Sequence, residues 1–209
     1  MSANRQAVPL SSSEQQPSRQ VLPSLLGSVV WTLFAVMYLK IALHEGTLLD
    51  VGLFSFYLTV AFLMLARRAA RRTGVWWEQV LGWGSAILPM AAYRPALGGL
   101  IIPALIVQGL GMAGLLASVW SLGRSFGIAP ADRGLVTRGA YRIIRHPMYA
   151  AEMVFNVGFL LANPSWRNGG ALLVIAVTQI ARILREERVL AEYAAYARQV
   201  RWRLIPWVW

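Results

Sequence analysis

The sequence predicts an all-α integral membrane protein with about six transmembrane helices. Three observations carry that prediction. First, 57% of the 209 residues are hydrophobic and only 14% are charged, and a mean hydropathy of +0.51 lies far from the soluble average. Second, the apolar residues fall in long blocks, the pattern of helices that cross a bilayer with their backbone groups satisfied internally. Third, the basic residues gather between those blocks. A net charge of +11 distributed this way fits the positive-inside pattern of a membrane protein better than a nucleic-acid binder, so no nucleic-acid partner is expected.

Taken in order, the apolar segments are residues 21–43, 47–66, 75–92, 98–121, 147–163 and 169–185. Each is near the roughly 20 residues that a helical span requires, the third and fifth being short or interrupted. Pro89 and Pro103 fall inside segments, where neighbouring helices tolerate a kink. Residues 1–20 are polar and rich in Ser, Gln and Pro; they read as a disordered cytoplasmic tail without the pattern of a signal peptide. Residues 21–121 then form a four-span membrane bundle. Residues 122–209 hold a loop, a two-span helical hairpin and a C-terminal helix.

Orientation follows from the arginines. Arg67, Arg68, Arg71 and Arg72 follow the second segment, five more lie between the fourth and fifth, and six lie at or beyond the end of the sixth. Only Lys40, Arg94 and Arg167 lie on the other side. This bias puts both termini in the cytoplasm. The loop 122–146 and the C-terminal tail therefore emerge on one face and flank the hairpin. The absence of cysteine excludes disulfides, thiolate metal sites and a cysteine nucleophile. Two histidines, His44 and His146, without an acidic ligand cluster argue against a metal site.

Two stretches bear chemistry. In "YRIIRHPMYAAE", residues 141–152, Pro147 suits the first turn of a helix. Arg145 and His146 then stand at a helix N-terminus, where free N–H groups and the dipole favour a carboxylate or phosphate. On charge alone, the same cluster reads as a juxtamembrane contact with lipid headgroups. In "ARILREERVLAEYAAYARQVRWRLIP", residues 181–206, Glu186 and Glu187 are adjacent carboxylates at a membrane boundary, costly unless paired or used. Arg182 stands four residues before Glu186, as on a solvated helical face. Tyr193, Tyr196 and the terminal "WRLIPWVW" have the composition of an interfacial belt. A cationic helix start and a carboxylate pair on one face match a zwitterion, and nearby aromatics suit a flat ring or a cation. S-adenosylmethionine, with an amino-acid head, a sulfonium and an adenine, combines all these parts.

Residues 121–206 resemble the isoprenylcysteine carboxyl methyltransferase family and its bacterial relatives, which share a pattern with phospholipid N-methyltransferases. The resemblance is carried by "LGRSF" (122–126), "GLVTRGAYRIIRHPMY" (134–149), "EERVL" (186–190), the tyrosines 193 and 196, and the V-x-x-R-L-I-P pattern (200–206). It implies an integral membrane methyltransferase, in a bacterial inner membrane, whose core is residues 122–209. It implies an S-adenosylmethionine pocket built from the cytoplasmic loop, the hairpin ends and the C-terminal helix. By matching position, Arg145, His146 and Tyr149 would hold the cofactor beside Pro147. Glu186 and Glu187 would bind its ammonium and ribose side or orient the reacting groups, with Arg145 also placed at the chemistry. Leu135, Val136, Gly139 and Tyr141 would line the adenine side, and Tyr196 would help to cover it. The "GLG" of residues 109–111 has a counterpart in phospholipid methyltransferases and also suits a packed membrane interface. Two departures stand out: Ala151 where many relatives carry glycine, and a short "AEYAAY" where many carry a longer insert.

The acceptor is expected to be lipophilic or small, an isoprenylcysteine-type carboxylate or a similar O or S nucleophile, reached among membrane lipids. A carboxylate or thiolate needs no general base, whereas an amine or hydroxyl does, with Glu186, Glu187 or His146 as candidates. A phospholipid amine N-methyltransferase is the alternative, and a non-catalytic scaffold or transporter component the second. Against transport, the charged residues Lys40, Glu78 and Glu152 all fall near segment ends. An oxidoreductase ranks lowest, for want of a dinucleotide glycine motif.

Overall fold

The computed structural model describes residues 21–44 and 46–209; the tail read as disordered, residues 1–20, lies outside the described residues. A helix forms at each of the six apolar segments: α1 (Val21–His44), α2 (Leu48–Ala66), α3 (Trp76–Ala92), α4 (Ile101–Leu122), α5 (Pro147–Ala162) and α6 (Trp166–Val189). A short α7 (Tyr193–Gln199) follows. Two-residue strands β1 (Arg72–Thr73) and β2 (Ala131–Asp132) pair antiparallel. The protein is thus an all-α membrane protein apart from this single small ladder.

Of the described helices, α1, α2 and α4 with its following turn are long and apolar enough to cross a membrane. α5 is apolar but has only 16 residues, a rise of about 24 Å. α3 has 17 residues. α6 has 24, but its last turns carry Arg182, Arg185, Glu186 and Glu187. The shorter or more polar helices are those that carry site residues or pack beside them.

Local chemistry sets the helix starts. Thr47 caps α2 by accepting the Asp50 N–H (3.2 Å), and Ser165 caps α6 by accepting the Asn168 N–H (3.2 Å), as hydroxyls at N-caps do. At α3 the Glu78 carboxylate accepts the Val75 N–H (3.0 Å) and faces Arg185 of α6 (3.8 Å). Pro147 opens α5, as expected.

The helices close into a ring. α1 packs on α2, α2 on α4, α4 on α5, α5 on α6, and α6 on α3. α3 returns to α1 through the stacked rings of Trp31 and Trp83, 6.5 Å apart. Small residues set the closest crossing. A Cβ at Gly111 of α4 would strike the Phe155 backbone of α5, and one at Gly158 of α5 would strike Gln108 of α4. This is the close approach that small residues allow between membrane helices. The ring encloses a cavity of about 640 Å³ lined by all six helices.

One end of the ring is arginine-rich. There β1, within the segment read from sequence only as positive charge, pairs with the loop after α4, Arg72 opposite Asp132. The Arg68 N–H donates to the Arg124 carbonyl (2.7 Å), and the Arg71 N–H to Asp132 (2.7 Å). Phe126 and Ile128 of that loop are buried among Met64 and Val119, so the loop plugs the ring. At the other end, Asn168 is fully buried. Its amide donates to the carbonyls of Arg94 (2.8 Å) and Asn163 (2.7 Å), sewing the hairpin turn to the α3–α4 connection.

Candidate active site at the arginine-rich end

The site forms where the start of α5, the end of α6, α7 and the segment after it meet. Its centre is Glu187. One carboxylate oxygen accepts from the Tyr193 hydroxyl (2.6 Å), Arg203 Nε (2.9 Å) and His146 Nε2 (3.1 Å). The other accepts from Arg203 Nη2 (3.1 Å), and Arg145 Nη1 stands 3.7 Å from the first. The bidentate Arg203 fork is the strong geometry for a guanidinium and a carboxylate. Arg145 also donates to the Tyr193 hydroxyl (3.3 Å) and to the Arg201 carbonyl (3.3 Å). Since Tyr193 uses its hydrogen on Glu187, it accepts from Arg145; the His146 contact with Glu187 then requires the ring hydrogen on Nε2.

Burial pushes the Glu187 carboxyl up, but the hydrogen bonds from His146, Arg203 and Tyr193 outweigh it and hold the group well below the usual carboxylate range. The same bond from Glu187 raises the Arg203 guanidinium. Burial, then the Glu187 bond, raises Tyr193. Burial pushes Tyr196 up to about 12, against the opposing charge of Arg145. These shifts keep Glu187 and Arg203 ionised and the two tyrosines neutral across physiological pH.

Glu186 faces the other way. It accepts from the Tyr149 hydroxyl (3.0 Å) and lines a small cleft with Tyr141, His146 and Tyr149, closed by the loop from Gly127 to Ala131. The cleft has about 30 Å³ of free space, room for a single water.

The predicted residues therefore divide into groups. Tyr141, His146, Tyr149 and Glu186 share the cleft, with Pro147 buried beside them. Arg145 and Glu187 do not line it; they stand 3.7 Å apart behind His146, which Glu187 holds. Leu135 packs instead in an apolar cluster with Tyr193, Tyr196 and Val200. Tyr196 donates to the Tyr141 carbonyl (2.6 Å), anchoring the 3₁₀ turn Gly139–Arg142. Gly139 adopts a left-handed conformation, φ +58°, and a Cβ there would meet the Ser121 side chain. Val136 is half-buried. Two N–H groups just ahead of α5, expected to be free, donate to the C-terminal segment: Arg145 to Trp202 (2.8 Å) and His146 to Arg203 (2.9 Å). The short link from α6 to α7 turns at Glu192, left-handed at φ 61°, which returns Tyr193 to Glu187 six residues on.

Three residues were given no site role in the sequence reading. Arg182 is not half of a solvated pair with Glu186: it is buried, donates to the Ile128 carbonyl (2.6 Å) and lies 4.9 Å over the Tyr149 ring. Its spacing from Glu186 was the available signal, read as exposed when the face was internal. Arg203 entered the sequence reading only as the arginine of the V-x-x-R-L-I-P pattern, with no role given, in a stretch read as an interfacial anchor. Arg133 is buried, with an Nε that has no hydrogen-bond partner. Burial, and Arg67 after it, lower the Arg133 guanidinium to about 10. A Cβ on Gly127 of the cleft loop would meet Arg133 Nη1 at 2.6 Å, so this cation stands directly behind the cleft. Arg145 Nε is likewise buried without a partner.

The ring of membrane helices with a charged cleft at one end defines a membrane protein with a polar cleft beside the bilayer. Residues 95–198 match the family model described as phospholipid methyltransferase. The match runs from the α3–α4 connection into α7, leaving out α1, α2, α3 and the segment bearing Arg203. No curated protein matches the chain. Among the described residues, no group of His, Asp and Glu is placed to hold a metal ion.

Proposed function

We propose that the protein is an S-adenosylmethionine-dependent methyltransferase that works at the cytoplasmic face of a bacterial inner membrane on a lipophilic acceptor. The observation that carries this reading is the division of labour between two adjacent carboxylates. Glu187 is consumed by His146, Tyr193, Arg203 and Arg145, which fixes the wall of the cleft. Glu186, held by Tyr149 alone among its hydrogen-bond partners in the described residues, faces into the cleft.

The donor set fits the cofactor. Arg133 and Arg145 each carry a buried guanidinium N–H without a partner, suited to a carboxylate, and Glu186 suits an ammonium. The loop bearing Gly127 and Ala129 must move outward to admit a molecule of that size. When bound, S-adenosylmethionine supplies an activated methyl group. The chain's residues orient it and exclude water, and positioning of this kind is the main source of catalysis in a displacement. The large cavity adjoins the cleft, with Ile128 and Met148 in the wall between the two spaces. A lipophilic acceptor can thus enter through the ring while the polar cofactor enters from the cytoplasm. Six crossings with both termini cytoplasmic accord with the arginine bias.

Calorimetry on purified protein tests this. Wild-type protein binds S-adenosylmethionine, and His146→Ala or Glu186→Gln weakens binding by at least about tenfold, roughly 1.4 kcal/mol. Absence of binding leaves a scaffold or transport role. A second reading, methylation of a phospholipid amine, is supported by the matched family, and comparing methylated lipids with and without the gene separates the two.

A further inference from the structure

The central cavity holds a polar group that the cleft does not use. Glu152 lines it in the second turn of α5, away from the segment end that the sequence suggested. Its side-chain neighbours are Gln179 and Arg182. Arg182 directs Nη2 to the Ile128 carbonyl and its face to the Tyr149 ring, and no close ion pair joins it to Glu152 among the described residues. Three buried donors on the same cavity also lack partners: Trp31 Nε1, the Tyr93 hydroxyl and Arg182 Nε. Trp31 and Arg182 are 4% and 3% exposed. Unpartnered buried polar groups are uncommon and need a reason, and ionisable residues at membrane depth are characteristically functional.

We propose that Glu152 meets the reacting end of the acceptor in this cavity and takes up its proton. The acceptor is then a lipophilic molecule whose reacting atom carries a hydrogen, an amine or a hydroxyl, rather than a carboxylate. The proposal rests on the methyl-transfer reading above. Met148, which lines both spaces, precedes Glu152 by four residues, one helical turn. Glu152 therefore stands one turn inside the wall shared with the cleft. On α6, Arg182 is one turn from Glu186. From Met148 to Phe159 the cavity follows α5 for about 16 Å, an elongated space suited to a hydrocarbon chain. A carboxylate head would face Glu152 as a like charge. An N–H or O–H head instead donates to it. In the step, the proton passes to the Glu152 carboxylate and the acceptor's lone pair forms the bond to the methyl carbon. The bond from that carbon to the sulfonium breaks, and its electrons remain on sulfur as a neutral thioether.

The test uses the full chain in lipid nanodiscs. Without cofactor, dodecylamine raises the melting temperature of wild type and Glu152→Asp but not of Glu152→Gln, and dodecanoate raises none of them. With tritiated-methyl S-adenosylmethionine and a membrane lipid extract, the lipid-phase label is not released by alkali as volatile methanol. Glu152→Gln lowers its rate about 100-fold, with cofactor affinity by calorimetry unchanged. Equal stabilisation of wild type and Glu152→Gln by dodecylamine overturns the proposal, as does label that alkali releases as volatile methanol or a wild-type rate in Glu152→Gln. Should that variant not fold, stronger stabilisation of wild type by dodecanoate than by dodecylamine overturns it. Wild-type protein that binds no S-adenosylmethionine overturns the underlying reading, whereas loss of the Glu152-dependent melting shift with cofactor binding intact overturns this proposal alone.

Discussion

At the scale of single residues, adjacent glutamates have opposite duties because neighbours on a helix point about 100° apart. Glu187 faces His146, Tyr193 and Arg203, which hold its carboxyl below the ordinary range. The folded protein thus binds that proton less readily than the unfolded chain. The resulting stability is complete above the ordinary glutamate value of about 4.3 and is lost as pH falls below it toward the folded value. Thermal melting in detergent should show wild type losing stability from about pH 5 downward. Glu187→Gln should be less stable at pH 7 by about 3 kcal/mol, since Arg145 and His146 stay buried without their partner, and flatter with pH. Parallel curves for the two proteins would remove Glu187 from this role. Tyr149→Phe removes one hydrogen bond to Glu186, worth about 1.5 kcal/mol to a charged group; calorimetry should show S-adenosylmethionine affinity falling by about tenfold. Arg145, His146, Tyr149 and the glutamates were legible because their motif is compact. Arg182, Arg133 and Arg203 were not: a basic residue reads as solvated unless the fold buries it, and only tertiary packing decides that.

At the scale of elements, hydropathy blocks located all six long helices, since a membrane helix satisfies its own backbone and needs little tertiary information to form. The β1–β2 ladder was hidden, because two-residue strands carry no periodicity and their partners are far apart in sequence. The α4–α5 crossing gives an internal comparison. Gly111 abuts the Phe155 backbone, whereas Gly109, two residues earlier on the same helix, has nothing near its Cβ position. Gly111→Leu should therefore destabilise the protein by about 1–3 kcal/mol through overpacking, and Gly109→Leu should be close to neutral. Melting temperatures of the purified variants decide this. Equal losses would mean that helix propensity or lipid contact, rather than the crossing, sets the cost. The "GLG" resemblance is accounted for by packing at its second glycine.

At the scale of the whole molecule, six helices enclose a space that none of them defines alone, and no sequence pattern announced it. Trp31, Tyr57 and Met90 come from three helices, Glu152 and Arg182 from two more, and Leu115 from α4. In the sequence these read as ordinary apolar faces with an occasional polar residue. Enclosure gives the space its chemical meaning, because it meets the cleft at Ile128 and Met148 while the bilayer surrounds the rest. If acceptor and cofactor arrive from opposite sides of that wall, filling one space must leave the other intact. Ala86 of α3 lines the cavity but not the cleft, so Ala86→Trp should fill the acceptor side alone. Transfer of tritiated methyl to the lipid phase should fall about 100-fold, as for a displaced reactant, while calorimetric affinity for S-adenosylmethionine holds within about twofold, roughly 0.4 kcal/mol. A parallel loss of affinity would show that the two spaces are one site, and unchanged transfer would show that the acceptor never enters the ring.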